Sequence, residues 1–243
     1  MKFKEGVYDD LPFEVYNEIP AYRASDIKQV DKCVYTWKNQ KGFTDSPALL
    51  EGRVQHTVFL ELDKFDDEFV IQPNIDRRTK AGKEAYEDFI GSIVDRTPIS
   101  QDLYETCMDR RKTVQDLIPN GANDRTELTV CYMLHGHPFK SRFDWYDGKH
   151  VWDLKTCRDA SPRGFKQAIN NFKYHMQAAL YVDACKAVGL HPYVIYTMSD
   201  EALEYGRAKN EQALNILLES EKNDSYKPYN LEGIQTVELH DLY

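Results

Sequence analysis

Apolar and polar residues alternate most clearly between Glu127 and Thr156. Glu127–Leu134 reads as a strand, His135-Gly136-His137-Pro138 as a turn, and Phe139–Trp145 and Lys149–Thr156 as two further strands of a meander. Asp147-Gly148 between two alternating runs is a strong hairpin signal. With those two as the loop residues, Tyr146 faces Lys149 and Asp144 faces Val151. Asp153 is then the diagonal neighbour of Asp144, roughly 7–8 Å away between Cα atoms. Lys155 points to the same face because the strand period is two. Phe143, Trp145, Trp152 and Leu154 fall on the opposite face and read as core.

Elsewhere the period is helical. After an irregular lead-in over 1–22, broken by Pro12 and Pro20, a helix starts behind the cap Ser25 and runs towards Trp37. Ser46-Pro47 supplies a cap and a first-turn proline for a helix to about Leu62. Leu50, Val54, Val58 and Leu62 form one apolar stripe, while Leu49, Gly52, His56, Phe59 and Leu60 cluster on another side, so this helix is expected to be buried. Residues 72–83 read as a polar, basic loop, and helical patterning resumes over 81–94 and 101–117. Pro162 opens a helical region to about Val188, bent near Asn170-Asn171; a β-rich run at 192–198 and a long helix over 201–221 follow. No repeat or linker interrupts the chain, which predicts a single α/β domain over 1–243, a mixed β-sheet flanked by helices.

Composition adds limits. Of 243 residues, 42% are hydrophobic, enough for a real core. No apolar run reaches membrane-spanning length, and the N-terminus lacks the apolar stretch of a signal peptide. Five scattered cysteines without a C-x-x-C spacing point to reduced thiols in a cytosol, and away from zinc ribbons and four-cysteine clusters. A net charge of −9 weighs against simple electrostatic adhesion to nucleic acid, so any DNA contact must come from local clusters. Two exist, Arg77-Arg78-Thr79-Lys80 with Lys83, and Arg110-Arg111-Lys112; a solvated face explains either equally well.

The candidate chemistry lies on the hairpin. Two carboxylates on one face, Asp144 and Asp153, can share a hard divalent cation, and Lys155 beside them suggests metal-assisted hydrolysis. Asp-x-Lys alone is weak: Asp26-Ile27-Lys28 is a second example, read as the first turn of a helix. His56, on an apolar helix with Gly52 one turn earlier, is either a satisfied core histidine or a ligand. Tyr174, Gln177 and Tyr181 share one helical face. Aromatics at that spacing are normally core, but a glutamine among them must have its amide satisfied. Glu127, opening the meander, is either a further acid of the site or a surface strand end.

In order, Gly52-x-x-x-His56-x-x-x-Leu60-Glu61, Asp144, Asp153-Leu154-Lys155 and Gln177-x-x-x-Tyr181 resemble the RecB-like branch of the PD-(D/E)xK nucleases. The stretches at 20–25, 46–53 and 76–83 bring the likeness closer to the RecE-type exonucleases (exonuclease VIII) of phages and prophages. The resemblance spans about residues 8–230. It implies a PD-(D/E)xK (restriction-endonuclease-like) core and a metal held by His56, Asp144, Asp153 and the Leu154 carbonyl. It also implies Lys155 as catalytic lysine, Gln177 and Tyr181 as supporting helix motif, and Glu127 as a further acid. Arg77, Arg78, Lys80, Arg142 and Thr156 are the expected DNA contacts. Phe143-Asp144 departs from the nominal Pro-Asp, and the cysteine spacing does not match the iron–sulfur relatives of Cas4 type. Further implied are Mg²⁺ (or Mn²⁺) dependence, 5′→3′ digestion of linear double-stranded DNA, release of mononucleotides and a 3′ single-stranded tail. A ring-shaped trimer or tetramer, a single-strand annealing recombinase as partner and a cytoplasmic location in a bacterial cell complete the expectation. The same motifs would also serve an end-independent endonuclease, and a catalytically silent DNA-binding module would keep the same fold.

Overall fold

The computed structural model describes residues 2–39, 46–118, 120–157, 159–190, 193–194 and 200–227. In chain order, β1 (Gly6–Tyr8) leads to α1 (Phe13–Glu18), α2 (Ala24–Lys32) and α3 (Val34–Asn39). The single helix expected behind Ser25 is two, because Cys33 adopts an extended conformation (φ −169°, ψ 112°) between α2 and α3. The cap lies at Arg23, whose backbone N–H donates to Asp26 Oδ2 at 3.1 Å.

Next come α4 (Pro47–Leu60), α5 (Phe65–Glu68), β2 (Phe69–Ile71), α6 (Lys80–Ser92), β3 (Thr97–Ile99) and α7 (Gln101–Thr113). Serine and threonine caps set three of these starts: Ser46 Oγ accepts from Leu49 N–H, Thr79 Oγ1 from Gly82 N–H and Ser100 Oγ from Leu103 N–H. The expected loop therefore stops at Thr79, and Lys80 and Lys83 lie in α6. β2 and β3 form a parallel pair that the pattern did not reveal, since three residues carry too little periodicity.

The rest comprises β4 (Arg125–Leu134), β5 (His137–Tyr146), β6 (His150–Trp152), α8 (Pro162–Phe172), α9 (Tyr174–Val188), β7 (Tyr193–Val194) and α10 (Asp200–Asn223). Ser161 caps α8, Lys173 in the left-handed region (φ 54°) breaks it from α9, and Gly189 (φ 73°) ends α9. Of the expected β-rich run, Pro192 and residues 195–198 lie outside the described residues.

The chain forms two compact units: Met1–Gly42, Glu127–Trp152 and Cys157–Tyr243 make the first, Phe43–Thr126 and Asp153–Thr156 the second. Among the described residues, the first holds a mixed five-stranded sheet ordered β1-β4-β5-β6-β7, with β1–β4 and β5–β6 antiparallel and β6–β7 parallel. His135 (φ 49°) and Gly136 (φ 77°) join β4 to β5, both in the left-handed region that a tight hairpin requires. Leu128, Val130, Tyr132, Phe139 and Phe143 are buried with Met176, Leu180 and Tyr181 of α9. The ring of Phe143 meets that of Tyr181 edge-on at 4.8 Å. The other sheet face is unusual: Lys140, 3% exposed, donates from Nζ to the carbonyls of Tyr16, Asn17 and Ile19 at 2.8, 3.1 and 2.8 Å. This buried ammonium gathers carbonyls at the C-terminal end of α1, where the helix dipole favours a positive charge. Burial, helped by Arg23, lowers its pKa below that of an ordinary lysine. In the second unit, Val54, Val58, Phe65, Phe69, Ile99 and Cys107 form a separate core.

The hairpin register differs from the expectation. Trp145 pairs with Trp152 and Tyr146 with Val151, so Val151 does not face Asp144 and Tyr146 does not face Lys149. The strand also ends at Trp152, not at Thr156. The cause is Asp147. Its carboxylate accepts from the backbone N–H groups of Lys149 (2.8 Å) and His150 (2.6 Å) and from Trp152 Nε1 (3.1 Å), and it pairs with His150 Nδ1 (2.8 Å). Asp147 N–H bonds the His150 carbonyl, so the reversal falls on Gly148-Lys149 with Gly148 at φ 90°. Burial alone would raise the Asp147 pKa, but the bonds from His150, Trp152 and Lys149 outweigh it and hold the carboxyl well below the usual range.

Asp147→Ala is expected to lower unfolding stability by about 2 kcal/mol, read from urea denaturation at pH 7. A carboxyl depressed in the folded state stabilises fully above its unfolded pKa, near 3.9, and less as pH falls towards the folded value. The gap between wild type and variant should therefore hold from pH 7 to about pH 5 and shrink below pH 4.

Candidate functional site

In the first unit, β4 and β5 carry two acids side by side. A carboxylate oxygen of Glu127 and one of Asp144 lie within 4.8 Å of each other. Glu127 takes a left-handed backbone (φ 51°) inside β4, a conformation that costs a non-glycine residue about 1–3 kcal/mol and recurs at functional sites. Its carboxylate forms an ion pair with Arg142, two residues before Asp144 on β5, so both side chains leave the same face. Glu127, read from the sequence as either a further acid of the site or a surface strand end, is held half-buried beside Asp144. Two hard oxygen donors at this spacing fit a divalent cation such as Mg²⁺ or Mn²⁺.

Behind them runs a chain of hydrogen bonds. Gln177 Nε2 donates to Tyr181 Oη at 2.8 Å, and Tyr181 Oη–H donates to the Arg142 carbonyl at 2.9 Å. Lys28 Nζ donates to Gln177 Oε1 at 3.1 Å. The glutamine amide is therefore satisfied at both ends, by Lys28 and by Tyr181. Reading Asp26-Ile27-Lys28 as helix and nothing more placed it on α2 as observed, yet missed Lys28 as a partner of Gln177; no spacing in the sequence links positions 149 residues apart.

The stacked indoles of Trp145 and Trp152, 4.6 Å apart and 9° from parallel, fix the end of the hairpin. The covalent neighbours of this pair are Asp144 and Asp153. Both tryptophans are half-buried; of the four residues expected in the core, Phe143 alone is fully so.

Asp153–Thr156 belongs to the second unit and has no regular secondary structure. Lys155 Nζ lies 2.5 Å from Asp153 Oδ2, so acid and ammonium share a side although no strand carries them. Leu154 is half-buried and Thr156 exposed. His56 sits half-buried on α4, between the buried Gln55 and Thr57. Among the described residues, and apart from the adjoining residues and backbone of its own helix, no heavy atom lies within 4 Å of where a Cβ on Gly52 would stand, so space is open one turn before His56.

The basic clusters separate. Arg110 bonds Glu51 at 2.6 Å and Gln55 at 3.3 Å, Arg111 bonds the Val58 carbonyl at 2.7 Å and Lys112 pairs with Asp109 at 2.8 Å. This cluster ties α7 to α4. Arg77, Arg78 and Lys80 are exposed: Arg77 lies over the Tyr86 ring at 4.5 Å, Arg78 pairs with Asp76 at 2.9 Å and Lys80 with Glu84 at 3.8 Å. Gly82 is required there, since a Cβ would stand 2.0 Å from the Asp76 carbonyl oxygen. Among the described residues, no helix is long and apolar enough to cross a membrane.

The family model described as "PDDEXK-like domain of unknown function (DUF3799)" matches residues 21–202. A search of curated proteins found no match.

Tyr181→Phe removes the hydroxyl shared by Gln177 and the Arg142 carbonyl. It should cost about 1–2 kcal/mol in urea unfolding, and an unchanged midpoint would show that the hydroxyl is not a structural link.

Proposed function

From a chain that belongs to the PDDEXK-like family, whose domains are generally nucleases, we propose a Mg²⁺-dependent deoxyribonuclease that digests linear double-stranded DNA from an end. The observation that carries the reading is the Glu127–Asp144 acid pair on adjacent strands, in a family with metal-dependent phosphodiester hydrolysis as its usual chemistry. By the order of its motifs, the resemblance adds His56, Asp153 and the Leu154 carbonyl as ligands of the same cation. Bound there, a divalent cation polarises the scissile phosphate and lowers the pKa of an attacking water.

The protein's own groups have separate tasks. Asp144, Asp153 and Glu127 supply negative oxygen donors. Lys155 stabilises charge on the attacking water or the phosphate oxygens as the 3′ oxygen leaves in line. Gln177 and Tyr181 hold the strand that bears Asp144, through the Arg142 carbonyl. Arg77, Arg78, Lys80 and Thr156, exposed in their segments, are assigned to the DNA backbone. The 5′→3′ direction, mononucleotide release, a 3′ tail passed to a single-strand annealing recombinase, a ring of three or four subunits and a cytoplasmic location follow from the likeness to RecE-type exonucleases. A ring would let an acidic protein keep basic groups facing DNA inside a negative exterior.

The test is incubation of end-labelled linear duplex and covalently closed circles with Mg²⁺. Expected are 5′→3′ shortening of the linear duplex, mononucleotide products and intact circles. Cleaved circles would instead establish an end-independent endonuclease. Asp144→Ala should reduce the rate at least ~100-fold, because even partners of metal ligands are worth 10–100-fold. An unchanged rate in a folded variant refutes the site.

A further inference from the structure

Arg142 was expected at the DNA, yet its surroundings suit a different task. The side chain is 16% exposed. Its Nε donates to Glu127 Oε2, and its Nη1 donates to the Leu11 carbonyl at 2.7 Å. The rings of Phe13 and Tyr16 each lie 5.8 Å from the guanidinium carbon, within cation–π range. A phosphate-binding arginine presents its planar fork to the ligand. Here two edges of the fork are occupied by groups of this chain.

We infer that Arg142 is a positioning residue that fixes the carboxylate of Glu127 for the metal, and that it is not a DNA contact; this rests on the metal-dependent reading above. Two independent features meet at Glu127, a left-handed backbone and the guanidinium ion pair. The backbone conformation persists only where surroundings enforce it. A carboxylate can serve two partners, one per oxygen, and charge-assisted bonds from arginine orient it strongly. Arg142 also neutralises part of the charge that Glu127 and Asp144 bring together. Its anchor on Leu11 ties the segment before α1 to the acid, so the arginine cannot follow a ligand away from Glu127.

The experiment measures Mn²⁺ binding to the DNA-free protein by calorimetry, and duplex affinity separately in saturating Ca²⁺ as a non-cleaving ion. Arg142→Met should weaken Mn²⁺ binding about 10–100-fold, the range for residues that orient metal ligands, with duplex affinity within about threefold of wild type. Arg142→Lys should fall between, since one ammonium cannot span Glu127 and Leu11 as the fork does, and it carries the test if Arg142→Met does not fold. In a Glu127→Ala background, Arg142→Met should add no further loss of Mn²⁺ affinity; a merely structural arginine would add its effect regardless. Unchanged Mn²⁺ binding in Arg142→Met, or duplex affinity lost tenfold at saturating Ca²⁺, overturns the assignment. Asp144→Ala distinguishes the two levels: if it too leaves Mn²⁺ binding intact, the metal reading itself falls and the role of Arg142 with it.

Discussion

Two cations on one face of a central strand constrain this fold more than any other feature. The two-residue period of β5 sends Phe139, Ser141 and Phe143 one way and Lys140, Arg142 and Asp144 the other. A buried ammonium or guanidinium is tolerable only with its donors met. Lys140 meets them with three carbonyls at the end of α1, and Arg142 with Leu11 and Glu127. The lead-in at 11–19, which looked irregular in sequence, is therefore fixed in place as the acceptor surface for β5. Its prolines, Pro12 and Pro20, bracket α1 and leave its carbonyl end facing the lysine.

How much of this was legible depends on the kind of signal. The start of α4 was readable because Ser46 supplies a local side-chain cap, whereas the cap at Thr79 lay inside a stretch whose polar, basic composition reads as loop. The break at Cys33 was not readable, since nothing in Lys32-Cys33-Val34 marks an extended residue. The hairpin was read correctly as a hairpin and wrongly in register. Asp-Gly favours a two-residue loop at those positions, but here the aspartate side chain accepts from the N–H groups of Lys149 and His150 and the reversal falls one residue on. One step of the loop shifts Asp144 relative to every residue beyond the turn, and it is decided by the side-chain bonds of Asp147 to Lys149, His150 and Trp152, which the Asp-Gly pair alone does not reveal. Likewise Arg110 and Arg111 are basic in sequence and structural in space, because their acceptors lie over 50 residues away.

The acid pair itself carries an electrostatic problem. Two carboxylates within 4.8 Å repel by about 3 kcal/mol or more at an effective dielectric near 20. A chain of net charge −9 gives no general relief. The guanidinium of Arg142 answers locally, at one of the two acids, and the cost of its own burial is met by Leu11. Paired this way, the two acids lose part of their mutual repulsion yet keep a net negative charge, the balance that the proposed cation site requires. Complete neutralisation would remove the attraction, and no neutralisation would leave the acids to force β4 and β5 apart. A single guanidinium against two acids lies between those limits, which is the electrostatic reason for an arginine two residues before Asp144.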